Sequence, residues 1–159
     1  MIKFTKYGRY GCFSNFYNTD VEFSGVHYTS AEAAFQAQKC ADDSIKSEFS
    51  SLTPSEAKRK GRHVPLRHNW EEDKYTIMVG VLICKFGNPE LRKILLSTGD
   101  EELVEDTTSW HDNIWGNCDC PRCRNIPGQN LLGKALMQVR DFYSKDWLTI
   151  TFTEAFTFG

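Results

Sequence analysis

The chain has 159 residues, of which 40% are hydrophobic, enough to bury one sizeable core without covalent staples. Nineteen basic against twenty-one acidic residues give a net charge of −2, which excludes general affinity for a nucleic-acid backbone or an anionic membrane and favours a small, specific ligand. The longest apolar-plus-glycine run, Ile77 to Cys84, is too short to span a bilayer, and the opening "MIKFTKYGRYG" lacks a signal peptide's apolar region, so a cytoplasmic protein with reduced cysteines is expected.

The elements follow in chain order. The aromatic, Gly/Ser/Asn-rich start reads as irregular, except that "VEFSGVHY" alternates as a short strand or hairpin does. Thr29 or Ser30 then caps a helix from about Ala31 to Ala41, and "LTPSEAKRKGR" repeats the signal with Thr53 as cap, Pro54 at the first position and Gly61 at the end. In "NWEEDKYTIMVGVLICKFGN", Trp70, Tyr75, Met78, Val79, Leu82 and Phe86 recur at helical spacing, and "NPELRKILLSTGD" opens on an Asn-Pro cap. "ELVED" reads as a brief strand, residues 107–130 as a long loop, "LLGKALMQVRDFY" as an amphipathic helix and "WLTITFTEAFTF" as a strand. The sum is a mainly helical α+β domain over residues 1–159, with no repeat or linker.

Three stretches carry chemistry. Glu32, Gln36 and Lys39 fall at i, i+4 and i+7 and form a polar stripe among alanines, although Thr29 and Glu32 also match a capping box. The run from Lys58 to His68, with Arg62 and Arg67, suits phosphate, or is a solvated helix end. In "NIWGN" and "GQNLLGK", Trp115 suits base stacking, Gly116 allows close backbone approach, and Asn130 either hydrogen-bonds a ligand or caps the next helix. Within that loop Cys118, Cys120 and Cys123 have metal-like spacing, with His111 or a distant cysteine as a fourth ligand; free thiols are the alternative.

Together "GCFSNFY", "YTSAEAAFQAQK", "GRHVPLRHNW", "LICKFGNPELRKILLSTGDEELVE", "NIWGN" and "GQNLLGKALMQVR" resemble the NADAR superfamily of YbiA-like N-glycosidases, from about Gly11 to Arg140. The resemblance implies a compact, mostly helical fold and hydrolysis of an N-glycosidic bond to ribose, in early riboflavin-pathway intermediates or in ADP-ribose attached to guanine. It makes Glu32 a catalytic carboxylate. It departs from the family pattern at Ala31 and Ala33, where polar neighbours are usual, and at Asn117, where an acid often stands; the cysteine-bearing loop near 111–128 is an insertion.

Ribosyl C–N cleavage builds positive charge at C1, which a carboxylate stabilises, or proceeds through a lysine imine. Glu32 and Lys39 are therefore the expected catalytic pair, with Lys85 in reserve and Gln36 orienting sugar hydroxyls. Phe13 and Trp115 would sandwich a base, with Trp70 beside them, and Asn15, Arg62 and Arg67 would hold phosphate or ribose. No cofactor is required, though a structural zinc at Cys118, Cys120 and Cys123 is allowed. The expected partner is a small nucleotide-like substrate or ADP-ribosylated guanine in nucleic acid, with no membrane. The competing classes are a non-catalytic nucleotide sensor and a zinc-stabilised interaction domain.

Overall fold

The computed structural model describes the backbone of residues 1–157 and the side chains of residues 1–145. It is an α+β fold: β1 (Ile2–Phe4), β2 (Asn18–Phe23), β3 (Val26–Ser30), α1 (Ala31–Ala37), α2 (Asp43–Lys46), α3 (Pro54–Gly61), α4 (Trp70–Lys85), α5 (Pro89–Leu96), β4 (Leu103–Glu105) and α6 (Leu131–Thr157). Among the described residues no helix is long and apolar enough to cross a membrane.

The alternating "VEFSGVHY" forms an antiparallel hairpin, with Val21 opposite Tyr28 and Phe23 opposite Val26. Its two-residue turn places Ser24 at φ 50° and Gly25 at φ 81°, the paired positive values of the turn that matches strand twist. The short strand around "LVE" finds its partner at the other end of the sequence: β4 runs parallel to β1, with Ile2 beside Leu103 and Phe4 beside Glu105.

The helix signals at Thr53 and Asn88 act as read. Thr53 accepts from the Glu56 N–H and Glu56 reaches back, a complete capping box, and Asn88 accepts from Glu90. Two expectations fail. The first helix stops at Ala37 rather than near Ala41, because the backbone beyond it turns to pair elsewhere: Cys40 bridges Leu66, Arg67 N–H donates to Lys39 O at 2.8 Å, and Ala41 N–H donates to Pro65 O at 3.2 Å. The tail read as a strand continues α6 to Thr157. A helix already nucleated extends by fixing one residue at a time, whereas a lone strand needs a neighbour to take its backbone groups.

α1 lies at the centre, against the hairpin, α3 and α4, while α6 covers α4, α5 and β4. Ala31, Ala33, Ala34 and Ala37 are all fully buried, and their small side chains let α3 approach closely. Phe13, Phe86, Leu82, Leu103 and Leu136 fill the core behind.

Lys85 sits on the core face of α4, fully buried, with its Nζ donating to Ser14 O at 2.8 Å. Burial disfavours the ammonium and lowers its pKa from 10.5 to about 7. Between those values the unfolded chain holds a proton that the folded chain has lost, so this residue makes stability rise with pH across that window, and its full penalty applies below the folded pKa. Denaturant unfolding should show wild type gaining on Lys85→Met by at most ~1.4 kcal/mol per pH unit in that window; parallel pH profiles for the two proteins would show that Lys85 does not titrate there.

Candidate active site

A cleft of about 730 Å³ opens over α1, walled by the segment Ser14–Phe16, by α3 and α4, and by the loop that follows β4. Its floor is set by how α1 begins. Ser30, in extended conformation, caps the helix by accepting from Ala33 N–H at 3.1 Å. Thr29, the other candidate cap, instead donates its hydroxyl to Leu52 O at 2.6 Å. The capping box between Thr29 and Glu32 therefore does not form, and the Glu32 carboxylate turns to the cleft.

There Glu32 is almost fully enclosed and accepts from Gln36 Nε2 at 2.8 Å. Its own backbone N–H donates to Asn15 O at 3.0 Å, which ties the Ser14–Phe16 wall to the helix. Burial pushes the Glu32 pKa up; the Gln36 amide and the positive charges of Lys58 and Lys39 pull it back. Gln36 is held by an absence: a Cβ on Gly61 would lie 2.0 Å from Gln36 Oε1. That oxygen, turned to Gly61, has no hydrogen-bond partner among the described residues, and neither has the buried Oδ1 of Asn15 on the cleft wall.

Lys39 also lines the cleft, but from the turn beyond the helix rather than from a shared helical stripe. Burial lowers its pKa, opposed by the attraction of Glu32. The aromatic wall is built differently from the expected pair. Phe35 lies between Trp70, at 5.1 Å between ring centroids, and Trp115, at 5.2 Å and 76°. Phe13 is fully buried in the core against Phe4, Tyr10 and Phe86 and does not line the cleft. Phe35 was hidden in the sequence because an aromatic residue in an alanine-rich helix reads as core.

The positive groups differ as well. Arg62 is exposed outside the cleft, and Arg67, also outside it, is paired with Asp73 at 3.0 Å. Lys6, Lys39, Lys58 and Lys74 line the cleft instead. Lys74 is paired with Glu71, whereas Lys6 and Lys58 both lie over the Phe16 ring, 6.0 and 5.7 Å from its centroid, and with Lys39 form no ion pair among the described residues, although Lys39 and Lys58 act on Glu32 at longer range. Lys85 lies behind the wall, bonded to Ser14 O, and cannot reach a bound sugar.

The loop "NIWGN" serves mainly as a brace. The carbonyls of Ile114, Trp115 and Gly116 accept from the backbone N–H groups of Leu131, Leu132 and Asn130, and so cap α6. Asn130 thus caps nothing with its side chain and is not among the residues lining the cleft: its Oδ1 accepts from Glu105 N–H at 3.1 Å and its Nδ2 donates to Leu103 O at 2.8 Å, which fixes β4. Gly116 is likewise structural, since a Cβ there would lie 2.2 Å from Thr107 Cγ2. The same loop lends Trp110, Asp112 and Trp115 to the cleft.

Three acids at the site were missed: Glu71, which pairs with Lys74, and two others. Asp112 lines the cleft while its Oδ1 accepts from the N–H groups of Ile114 and Trp115, at 2.8 and 3.0 Å. Glu105, at the end of β4, has its pKa raised to about 8 by burial and then by repulsion from Asp112 and Glu32. Nothing local in "ELVED" marks this residue; only the fold brings it to Glu32. Beyond the cleft, the loop also gathers His111, Cys118, Cys120 and Cys123, whose ligand atoms all lie within 4.8 Å of one another.

Comparison with known proteins places these residues in context. The profile described as "NADAR domain" matches residues 3–143. The chain is 38% identical over 136 residues to the N-glycosidase YbiA of Escherichia coli, covering 83% of this chain and 81% of that protein. The NMR structure of the E. coli protein YbiA superposes with a TM-score of 0.78 at 36% identity, covering 92% of this chain and 86% of that one. The N-glycosidase Npun_R5314 of Nostoc punctiforme is 37% identical over 139 residues, covering 83% of this chain and 85% of that protein. The riboflavin biosynthesis protein VVA0006 of Vibrio vulnificus is 32% identical over 136 residues, covering 83% of this chain but 35% of that longer protein.

The dependence of Glu32 on Gly61 is directly measurable. Gly61→Ala should displace Gln36, remove its N–H from the carboxylate and raise the Glu32 pKa further, read by a side-chain carbon NMR titration. An unchanged Glu32 titration would mean that Gln36 is held by something other than the bare glycine.

Proposed function

The chain belongs to the NADAR family, and from that membership together with its cleft we propose that it is an N-glycosidase, hydrolysing the bond between ribose C1 and a base nitrogen. The observation that carries the reading is the enclosed Glu32 carboxylate, facing a cleft walled by aromatic rings and edged by Lys6, Lys39 and Lys58, which form no ion pair among the described residues. The substrate is a phosphate-bearing ribonucleotide or an ADP-ribosylated guanine. Its base lies along Phe35, Trp70 and Trp115, a sugar hydroxyl donates to Asn15 Oδ1, and Lys6 and Lys58 hold its phosphate. The name of the longer Vibrio relative supports a riboflavin-pathway intermediate as one such nucleotide.

As the C–N bond lengthens, positive charge grows at C1 and the ring oxygen, and the Glu32 carboxylate stabilises it in a medium that screens little. The leaving base needs a proton. Glu105, with its pKa near 8, still holds one at neutral pH. Water then adds to C1 and gives up a proton, or Lys39, whose burial favours the neutral amine, adds to C1 instead; the C1–O bond of the ring then breaks, its oxygen takes a proton from the nitrogen, and the resulting imine is hydrolysed by water to free the sugar and restore the amine.

Released base, followed chromatographically with both substrate types, tests the activity. Glu32→Gln should keep ligand binding but lose about a hundredfold or more in turnover, whereas Glu105→Gln should lose most on substrates with a poorly leaving base. Undiminished turnover in Glu32→Gln would remove that carboxylate from the chemistry, and an equal loss on all bases in Glu105→Gln would remove Glu105 as the proton donor. Absence of released base from wild type would leave a nucleotide-binding protein.

The Lys39 route has its own signature. Borohydride added during turnover should reduce the imine and leave a sugar mass on Lys39, and Lys39→Arg should abolish both adduct and turnover, because guanidinium stays protonated. Turnover that survives in Lys39→Ala, with no adduct in wild type, would assign the attack to water.

A further inference from the structure

The chain between β4 and α6, from Asp106 to Asn130, contains no helix or strand, a length at which a loop needs something besides its own packing to hold one shape. Its centre is a group of metal-binding side chains. Cys118 and Cys120 are buried, Cys123 is half-buried, and none of the three is in a disulfide. His111 Nδ1 lies 3.3 Å from Cys118 Sγ. A tetrahedral zinc site with Zn–S near 2.3 Å and Zn–N near 2.0 Å places its sulfur and nitrogen atoms about 3.5 to 3.8 Å apart, and these four lie within 4.8 Å of one another. The backbone is shaped for it as well. Cys120 O accepts from the N–H groups of Cys123 and Arg124, both at 2.9 Å, so that the two thiols of the Cys-x-x-Cys turn face one point.

The geometry points to a structural zinc centre formed by His111, Cys118, Cys120 and Cys123, which clamps the loop forming one wall of the cleft. A divalent, borderline-soft ion suits three thiolates and an imidazole, and four protein ligands leave no position for substrate or catalytic water. The first two ligands bracket Asp112 and Trp115, both on the cleft wall, and His111 directly follows Trp110. Asn113 Oδ1 accepts from Cys118 N–H at 2.9 Å, and Thr107 donates its hydroxyl to Asp112 O at 2.5 Å, so a shift at the metal is passed to the wall. Zinc binding stands apart from the glycosidase reading; only the effect on substrate affinity rests on it.

Protein expressed in zinc-supplemented medium and purified under reducing conditions should contain stoichiometric zinc by elemental analysis. A strong chelator should remove the zinc and lower the Tm, and added zinc should restore it. Cobalt titrated into the stripped protein should give the thiolate-to-cobalt charge-transfer band and the intense visible bands of a tetrahedral site. Cys123→Ser should lose the metal while Cys84→Ser, outside the cluster, retains it, and Cys123→Ser should raise KM about tenfold or more with a smaller change in kcat. If Cys123→Ser does not fold, the cobalt spectrum of wild type still decides. Zinc-free protein with a Tm unchanged by zinc or chelator, or cobalt spectra lacking thiolate bands, would overturn the site. Intact metal binding with loss of all base release would instead count against the glycosidase reading alone.

Discussion

A carboxylate kept out of water at the start of a short, fully buried helix is the constraint on which the rest of this protein depends. Glu32 loses solvation by lying there, and the surroundings supply partial compensation: the amide of Gln36 and the fields of Lys58 and Lys39. Each demands something of the neighbouring sequence. Gln36 can reach Glu32 only because Gly61 has no side chain, and α3 can bring Gly61 so close only because α1 is lined with alanine. Ser30 takes the capping role and so leaves the glutamate unoccupied by backbone.

The same economy shapes the opposite wall. Ser14 and Asn15 are held from two sides, by the buried ammonium or amine of Lys85 on the carbonyl of Ser14 and by the Glu32 N–H on the carbonyl of Asn15. Buried polar groups that are fully paired give a unique arrangement, and those left unpaired are costly, which makes the unpaired Oδ1 of Asn15, a cleft-wall residue, a weak point in that wall. The third wall is a loop without regular structure. Its carbonyls cap α6, its carboxylate from Asp112 is tied to its own backbone, and its thiols converge beside it. Aromatic rings, carboxylates and lysines thus reach one cleft from elements far apart in the chain.

Much of the fold could be read locally. Helix starts at Thr53 and Asn88 depend on side chains within three residues of the backbone they cap, and the Ser24-Gly25 hairpin depends on two φ angles, so no distant partner is needed to specify them. Glu32, Gln36, Trp70, Trp115 and Lys39 were legible for a related reason: their types and order match a known family, and they all reach the cleft. The close grouping of three cysteines likewise named the loop as a place where a cation could sit, although a fourth ligand could not be chosen.

Where the reading failed, the deciding contact was distant. The first helix ends early because residues 39–41 pair with residues 65–67. Phe13 and Asn130 look like ligand groups by type, yet one is surrounded by rings of the core and the other supports β4. Arg62 and Arg67 sit in the most basic stretch, but the turn after α3 carries them away while Lys6 and Lys58 come to the cleft from separate elements. Sequence alone determined the local conformations and the inventory of reactive groups, because capping, turn geometry and side-chain chemistry act over a few residues. Tertiary structure decided which of those groups share an enclosed space, and thereby whose pKa is shifted: Glu105 holds its proton near neutral pH only because folding buries it beside Asp112 and Glu32.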